Sequence, residues 1–428
     1  MTKARTSKRA TTLKNGIHRI AGKQFEEFSD ILIDAYPGFR VQSPEERRRV
    51  IRNQHLRAKD GRITTWCLYR RGRMLGGLRL FDYTMNLFGA PILAGGGGSL
   101  AVRLENKKEH VARDLMTFFI EHYRKKNAPL AILYPFRPDF YRAMGFGYGP
   151  KLHQYRFRPG VLPDSPNRKN VRLLTKADLP VLRRCYQRHC ERVSGMIEET
   201  AYGWDLIFEY GKQRFAGYFK GNELLGYIAF NFEPTAPDDF IRNDIRISEL
   251  IYNDREALAG LLAFLRSQHD QIDHVIVNTH DDNLHFLPVD PRYREHLIMP
   301  VYHETDVSGV GLMFKVIDIP AIFTALAGHS FGGESATLAI TVTDTFTPVN
   351  HGRYIVRLIE GRPAVVKQGR ADVEISMDIA EFSSLLIGAI SFKELYWHNL
   401  ADISDTAWLD RVNRIFLTDS KPVCVTGF

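Results

Sequence analysis

The strongest constraint on this chain is an internal repeat in its order of elements. Ser99-Leu-Ala-Val102 closes an apolar run and leads into a helical pattern, Lys108 to Lys126, followed by the short apolar segment Leu130-Ala-Ile-Leu133. The same order recurs as Ser248-Glu-Leu-Ile251, a helical pattern from Glu256 to His269, and His274-Val-Ile-Val277. Strand, helix and strand in the same order, repeated weakly in the second block, reads as a duplicated supersecondary unit, and it makes most of the chain two diverged copies of one mixed layered fold.

The elements around each repeat fit that reading. In the first block Phe25, Phe28, Ile31, Leu32 and Tyr36 fall at helical spacing, and Ser43-Pro-Glu-Glu46 combines an N-cap, a first-turn proline and a capping-box acid. Strands are expected at Thr64–Tyr69, Met74–Tyr83 and Pro91–Val102, and the helix after Lys108 carries Val111, Leu115, Phe118 and His122 on its stripe. In the second block Thr175 to Asp178 caps a helix with Leu179, Leu182, Cys185 (or Tyr186) and His189, and a hairpin turns at Lys220-Gly-Asn222. Two proline-rich stretches, Arg158 to Asn170 and Leu287 to Pro300, separate three blocks. The third block starts a strand at Leu312, enters a helix over Pro320–Leu326, and continues with strands at Ala336–Val342, Arg353–Ile359, Ala364–Lys367 and Val373–Ser376. It ends in helices at Ile379–Ile390 and Thr406–Ile415.

Composition closes off other classes. Among 428 residues, 44% are hydrophobic and 25% charged, the usual globular mix. No uncharged apolar run approaches the ~18 residues that span a bilayer, and the opening residues lack the apolar stretch of a signal peptide. A cytoplasmic protein with no membrane partner is therefore expected. The net charge of +9 is concentrated: Lys3, Arg5, Lys8, Arg9, Lys14, Arg19 and Lys23 crowd the first 25 residues, and without them the chain carries only +2. No basic face interleaved with aromatics accompanies this arm, so residues 1–20 are read as a flexible solvated arm without a nucleic-acid partner. Cys67, Cys185, Cys190 and Cys424 are too few and scattered for a disulfide framework or a zinc site and are read as buried thiols. His280-Asp-Asp-Asn-Leu-His285 lacks a nearby third histidine and is read as a solvated loop, so no metal is expected.

Chemistry is suggested at two junctions of the first block. Gly95-Gly-Gly-Gly-Ser-Leu-Ala-Val102 feeds a basic turn that opens the long helix, with Lys107, Lys108 and Arg113 adding positive charge there. The first helical amides have no intrahelical partner and the helix dipole is positive there, which suits a diphosphate. An ordinary strand-to-helix turn with surface lysines fits the same residues. The second junction is Leu133-Tyr-Pro-Phe-Arg-Pro-Asp-Phe-Tyr-Arg-Ala-Met-Gly-Phe146, a strand end, a short helix and a Phe-Tyr-Arg-x-x-Gly-Phe signature.

Together the two junctions resemble the GNAT superfamily of acyl-CoA-dependent N-acetyltransferases. The block order, closing on a C-terminal Phe, is similar to the enhanced intracellular survival (Eis) family within it. The resemblance implies an α/β (α+β) chain: a GNAT domain over residues 21–158 with the acetyl-CoA site, a degenerate GNAT-like domain over 170–295, and a sterol-carrier-protein-like α+β domain over 300–428 that supplies the C-terminal carboxylate. It implies acetyl-CoA as cosubstrate and an acetyl transfer to a primary amine, an aminoglycoside-like molecule or a protein lysine, in a ternary complex. Cofactor contacts then fall on Leu100, Ala101 and Val102 for the pantetheine arm, on Lys108, Glu109, His110, Val111, Ala112 and Arg113 for the diphosphate, and on Phe136 and Arg137. Tyr141 becomes the general acid for the departing thiolate and the Phe428 carboxylate the general base. A homo-oligomer, a hexamer in the family, is implied as well.

His110 departs from the family, which has glycine there; at positive φ a histidine costs ~1–2 kcal/mol, which weakens coenzyme A binding roughly fivefold to thirtyfold, whereas at negative φ only Cβ crowding remains, and the imidazole can itself donate to a phosphate. Asn253-Asp-Arg-Glu256 at the matching helix start of the second block carries two acids against one base, so no cofactor is expected there. An apolar-ligand carrier built on the third block, and a catalytically weak pseudo-acetyltransferase following from His110, are the competing readings.

Overall fold

The computed structural model describes residues 15–208, 213–236, 241–293 and 297–428. The basic arm through Lys14 lies outside the described residues. The described residues divide into two compact units, 15–82 with 95–126, and 83–94 with those from 127 to 428.

In the first unit, β1 (Gly16–Arg19) pairs antiparallel with β2 (Ile63–Arg70), from Gly16 opposite Tyr69 to Arg19 opposite Trp66. This corrects the extent of the expected arm, because residues 16–19 form an ordered edge strand. Its four residues, with Ile17 the one apolar side chain, are too few for alternation to announce a strand. Helices α1 (Gln24–Ala35) and α2 (Pro44–Arg57) follow, the latter opened by the capping box of Ser43 and Glu46. β2 turns at Arg71-Gly72 into β3 (Arg73–Leu87), and β4 (Ala90–Val102) leads to α3 (Val111–Lys125). The glycine run before Ser99 has a packing cause: a Cβ on Gly95 would stand 2.3 Å from the Tyr123 ring, and one on Gly97 2.9 Å from Phe119. The helix therefore lies directly on bare strand backbone. Its buried stripe is Val111, Leu115, Met116, Phe119, Ile120 and Tyr123. Phe118 and His122, expected on that stripe, are half-buried beside Trp66, with ring centroids 4.8 and 5.5 Å away.

The second unit exchanges strands along the sequence. It begins with the β3–β4 hairpin tip, then β5 (Leu130–Leu133), α4 (Pro138–Arg142), β6 (Gly147–Tyr148) and β7 (Leu152–Phe157). The second block contributes β8 (Val171–Leu173), α5 (Leu179–Arg192), α6 (Ala201–Leu206), β9 (Arg214–Lys220), β10 (Glu223–Pro234), β11 (Asn243–Tyr252), α7 (Arg255–Arg266) and β12 (Ile272–Thr279). The small hairpin of β13 (Leu297–Met299) and β14 (Tyr302–His303) precedes β15 (Asp306–Gly309) and β16 (Met313–Val316). The central sheet runs β15-β7-β12-β11-β10-β9-β8. β7, which the sequence places in the first block, thus pairs with β12 of the second. β16, from the start of the third block, pairs antiparallel with both β5 and β6.

The third block adds α8 (Ile319–Ala325), β17 (Ala336–Thr343), β18 (Gly352–Ile359), β19 (Arg362–Val366), β20 (Val373–Asp378), α9 (Ile379–Leu386), α10 (Phe392–Trp397), β21 (Ala401–Ile403) and α11 (Leu409–Phe416). Its sheet order is β19-β18-β17-β20-β21. α9 stops four residues short of the expected Ile390, where Gly388 adopts φ +76°. Lys315 of β16 is buried with its Nζ 2.8 Å from Asp344, whose other oxygen accepts from the Phe346 and Thr347 amides at 3.1 and 2.7 Å. All four cysteines are buried and free.

Candidate active site

The first unit holds the strand-to-helix junction. Ser99 sits in β4 at φ +51°, and its hydroxyl accepts from the buried Arg79 at 2.9 Å. Leu100 and Val102 are half-buried and Ala101 is buried, and the Leu100 carbonyl accepts from the Tyr36 hydroxyl at 2.8 Å. After β4, Arg103 anchors the turn by donating to the Met74 carbonyl at 2.6 Å and to Glu27 at 2.7 Å. Lys108 then adopts φ +68° and His110 φ +61°, ψ 7°. His110 is the N-cap of α3 and its side chain accepts no capping hydrogen bond; the first helical bond is Asp114 N–H to the His110 carbonyl at 2.9 Å.

The positive φ at His110 is the conformation that favours glycine, and it carries the full left-handed cost of ~1–2 kcal/mol. Lys108 bears a similar one. Left-handed residues against the right-handed helix start turn successive amides toward a common point, an anion-binding concavity. Lys107, Lys108, His110 and Arg113 are exposed around it, while Val111 is buried and Ala112 half-buried beneath. The carboxylate of Glu109, unfavourable beside an anion, is drawn aside: Asn106 Nδ2 donates to it at 3.1 Å and Arg70 stands 3.8 Å away. The donor set fits a coenzyme A diphosphate.

The matching junction of the second block is built differently. α7 is capped by Asp254, whose carboxylate accepts the Ala257 amide at 2.7 Å. A negative side chain thus occupies the place where an anion would bind.

In the second unit, α4 carries Tyr141. Its chain is reversed by Gly145 at φ +81°, where a Cβ would meet Lys315 Nζ at 2.4 Å. The Met144 and Phe146 amides both donate to the Tyr141 carbonyl, at 2.9 and 3.2 Å. Tyr141 is buried among Phe136, Phe140 and Phe146, with centroids 5.6, 5.1 and 6.1 Å away. Phe136 itself is exposed, and Arg137 is exposed and ion-paired with Asp139, two residues on. The tail from Pro422 packs along α5 and the segment before α6. Val423 N–H donates to the Ser194 carbonyl at 2.8 Å, Tyr134 donates to the Thr426 carbonyl at 3.1 Å, and the Thr426 hydroxyl lies 3.1 Å from that of Tyr186. The Phe428 ring is half-buried between Tyr83 and Tyr134, at 5.0 and 5.2 Å. Burial pushes the Tyr134 phenol far above its ordinary value and the Cys424 thiol up to about 11, so both stay protonated at neutral pH.

The structure thus brings Tyr141 together with Phe136, and Phe428 with Tyr134, while Arg137 turns to Asp139. Sequence reading missed Tyr36, Tyr134 and Glu249. Tyr36 reaches its partner across 64 positions and leaves no local signal. Glu249 had one: it occupies the repeat position of Leu100. Its register jumps from Ala229 opposite Glu249 to Phe230 opposite Ile247, making Ser248 a bulge that aims the carboxyl at Tyr227, whose hydroxyl donates at 2.7 Å. Burial, with the Glu199 charge as a lesser cause, raises Glu249 to about 7. His280 is buried with Nδ1 3.0 Å from the Lys151 carbonyl, and His285 lies against Phe286 at the surface.

Residues 16–149 and 195–306 each match an acetyltransferase (GNAT) domain, and residues 321–425 match a sterol carrier protein domain. The chain carries two GNAT domains followed by an SCP2-like domain. Among solved structures it is similar to a GCN5-related N-acetyltransferase from Anabaena variabilis, at 16% identity and TM-score 0.79, covering 97% of this chain and 100% of that one. It is similar to a probable N-acyltransferase from Enterococcus faecalis at 18% identity and TM-score 0.78, and to Eis1 from Mycobacterium abscessus at 18% and 0.75, each again with 97% of this chain and all of the other. At such identities the likeness shows the fold. No curated protein matches. Among the described residues, no helix is long and apolar enough to cross a membrane and no group of three or more His, Cys, Asp or Glu residues is placed to hold a metal.

Proposed function

We propose that the protein is an acetyl-CoA-dependent N-acetyltransferase of the Eis family that acetylates a primary amine in a ternary complex. The observation that carries this reading is the contrast between the two repeat junctions. α3 opens without a side-chain cap behind two left-handed non-glycine residues and a ring of cations, whereas α7 opens on its own carboxylate. Backbone strain of this kind persists where function requires the conformation.

The bound cosubstrate supplies an activated acetyl thioester. Main-chain amides of Val111, Ala112 and Arg113, with Lys108, His110 and Arg113 side chains, hold its diphosphate, and Leu100, Ala101 and Val102 align the pantetheine arm. Glu109, Phe136 and Arg137 are the further cofactor contacts in this reading. The Phe428 carboxylate takes one proton from the attacking nitrogen, and the Tyr141 hydroxyl gives one to the leaving sulfur, so an amide and a free thiol form with the proton count closed. A phenol with ordinary pKa ~10 is matched to a thiol leaving group. An aminoglycoside-like molecule or a protein lysine is the acceptor class. The protein works as a homo-oligomer, of which a hexamer is the family form, in the cytoplasm; exposed Ile298, Met299, Val301 and Tyr302 on the β13–β14 hairpin are apolar surface that assembly covers.

The test is release of free thiol from acetyl-CoA across a panel of primary amines, with Tyr141→Phe and a Phe428 deletion alongside. Acceptor-dependent thiol release that both variants reduce supports the reading. Full activity in both variants removes the assigned roles, and acetyl-CoA binding without turnover on any amine leaves a binding protein.

A further inference from the structure

Tyr36 is held at four points. Its amide donates to the Leu32 carbonyl at 3.0 Å as the C-cap of α1, and its carbonyl accepts from the Phe39 amide at 2.9 Å. Its ring stacks on Phe39 with centroids 5.5 Å apart and planes 26° apart, and its hydroxyl donates to Leu100 at 2.8 Å. The backbone reverses just beyond, through Arg40 at φ +47°, so the loop has little slack. Phe39 is half exposed and backs the ring from the solvent side.

On the reading that a pantetheine arm runs from the cradle after Asn106 back along Val102, Ala101 and Leu100, Leu100 marks the sulfur end. Two residues separate it from Val102, about 7 Å of strand. A ring latched to the Leu100 carbonyl then stands where the acyl group must lie. The carbonyl has a second lone pair, so the latch leaves it able to accept from the cosubstrate.

We propose that Tyr36, backed by Phe39, is the specificity-determining residue that limits the acyl group to a short chain. The ring cannot rotate away without releasing both its hydrogen bond to Leu100 and its stack on Phe39, and the backbone beneath it is fixed by the α1 cap. A two-carbon acyl group ends before the ring, and each further methylene must displace it. Burial raises the Tyr36 hydroxyl above its ordinary pKa, so the donor persists through the neutral range.

The inference rests on the proposed cofactor groove, so its test separates the two. Calorimetric titration of coenzyme A and of acetyl-, butyryl- and hexanoyl-CoA into wild type, Tyr36→Phe and Tyr36→Ala reads affinity independently of turnover, with thermal unfolding as the check on folding. Wild type is expected to bind acetyl-CoA ~30-fold more tightly than hexanoyl-CoA, Tyr36→Ala to bring the two within ~threefold, and Tyr36→Phe, which keeps the ring, to retain most of the discrimination. Should Tyr36→Ala fail to fold, Phe39→Ala at the exposed backing position is expected to improve hexanoyl-CoA binding ~threefold relative to acetyl-CoA. Equal affinity for short and long chains in wild type, or an unchanged ratio in Tyr36→Ala (in Phe39→Ala if that variant is the one that folds), overturns the inference and leaves the groove standing. No binding of coenzyme A or its thioesters by wild type overturns both.

Discussion

At the scale of the residue, His110 and Tyr141 make opposite demands. His110 is strained for its conformation, so His110→Gly is expected to stabilise the fold by ~1 kcal/mol in denaturant unfolding, whereas His110→Ala, which keeps a Cβ at φ +61°, gains nothing. Equal effects of the two substitutions would contradict a backbone cause. Tyr141 sits in an aromatic cage that Tyr141→Phe leaves filled. That variant is expected to lose ~10²-fold or more in kcat with acetyl-CoA affinity unchanged, measured by steady-state kinetics and calorimetry, as for loss of a general acid. Glu249 titrates against habit. Its folded value near 7 lies above the ordinary 4.5, so the native state binds more protons than the unfolded one between those limits. Stability contributed by the protonated form is complete below ~4.5 and lost as pH rises through ~7. Part of the side chain reaches solvent, which trims the effect to on the order of 2 kcal/mol. Glu249→Gln is expected to flatten this slope in pH-dependent thermal unfolding, and a slope unchanged by the substitution would place its cause elsewhere.

At the scale of the element, the two repeat helices show what a chain reveals before it folds. Lys107, Lys108 and Arg113 announced a cationic helix start, and Asp254 announced an acidic one, because capping chemistry is local. Asp254→Ala is expected to cost ~1 kcal/mol of stability without altering acetyl-CoA affinity, since the α7 junction holds no cofactor in this account. A loss of affinity in that variant would relocate the site. What the sequence concealed depends on distant partners. The hydroxyl of Tyr36 on Leu100, the tail running beside Tyr134 and Tyr186, and β7 crossing into the second sheet are all long-range pairings. Period-two or helical spacing cannot report them. β1 escaped notice because four residues at a sheet edge carry too little alternation, and α10 because six residues make less than two helical turns.

At the scale of the whole molecule, the modules are not beads. β16 belongs in sequence to the start of the third block yet pairs with β5 and β6, and its Lys315 is locked to Asp344 between β17 and β18. A buried pair of this kind is costly to break singly: Lys315→Met is expected to destabilise by ~3–5 kcal/mol, and Lys315→Met with Asp344→Leu by less, in a double-mutant cycle. Additive losses would show that the pair does not act as a unit. The SCP2-like module also carries Phe428, which rests between Tyr83 and Tyr134 of the first block, so an apparent appendage delivers the tail to residues distant in sequence. The measurement that tests the central claim most directly is calorimetric titration of acetyl-CoA into the intact chain and into a Lys108→Glu, Arg113→Glu variant. The account predicts one site per chain, lost or weakened at least ~30-fold in the variant; two sites, or one site bound equally well by both proteins, would contradict it.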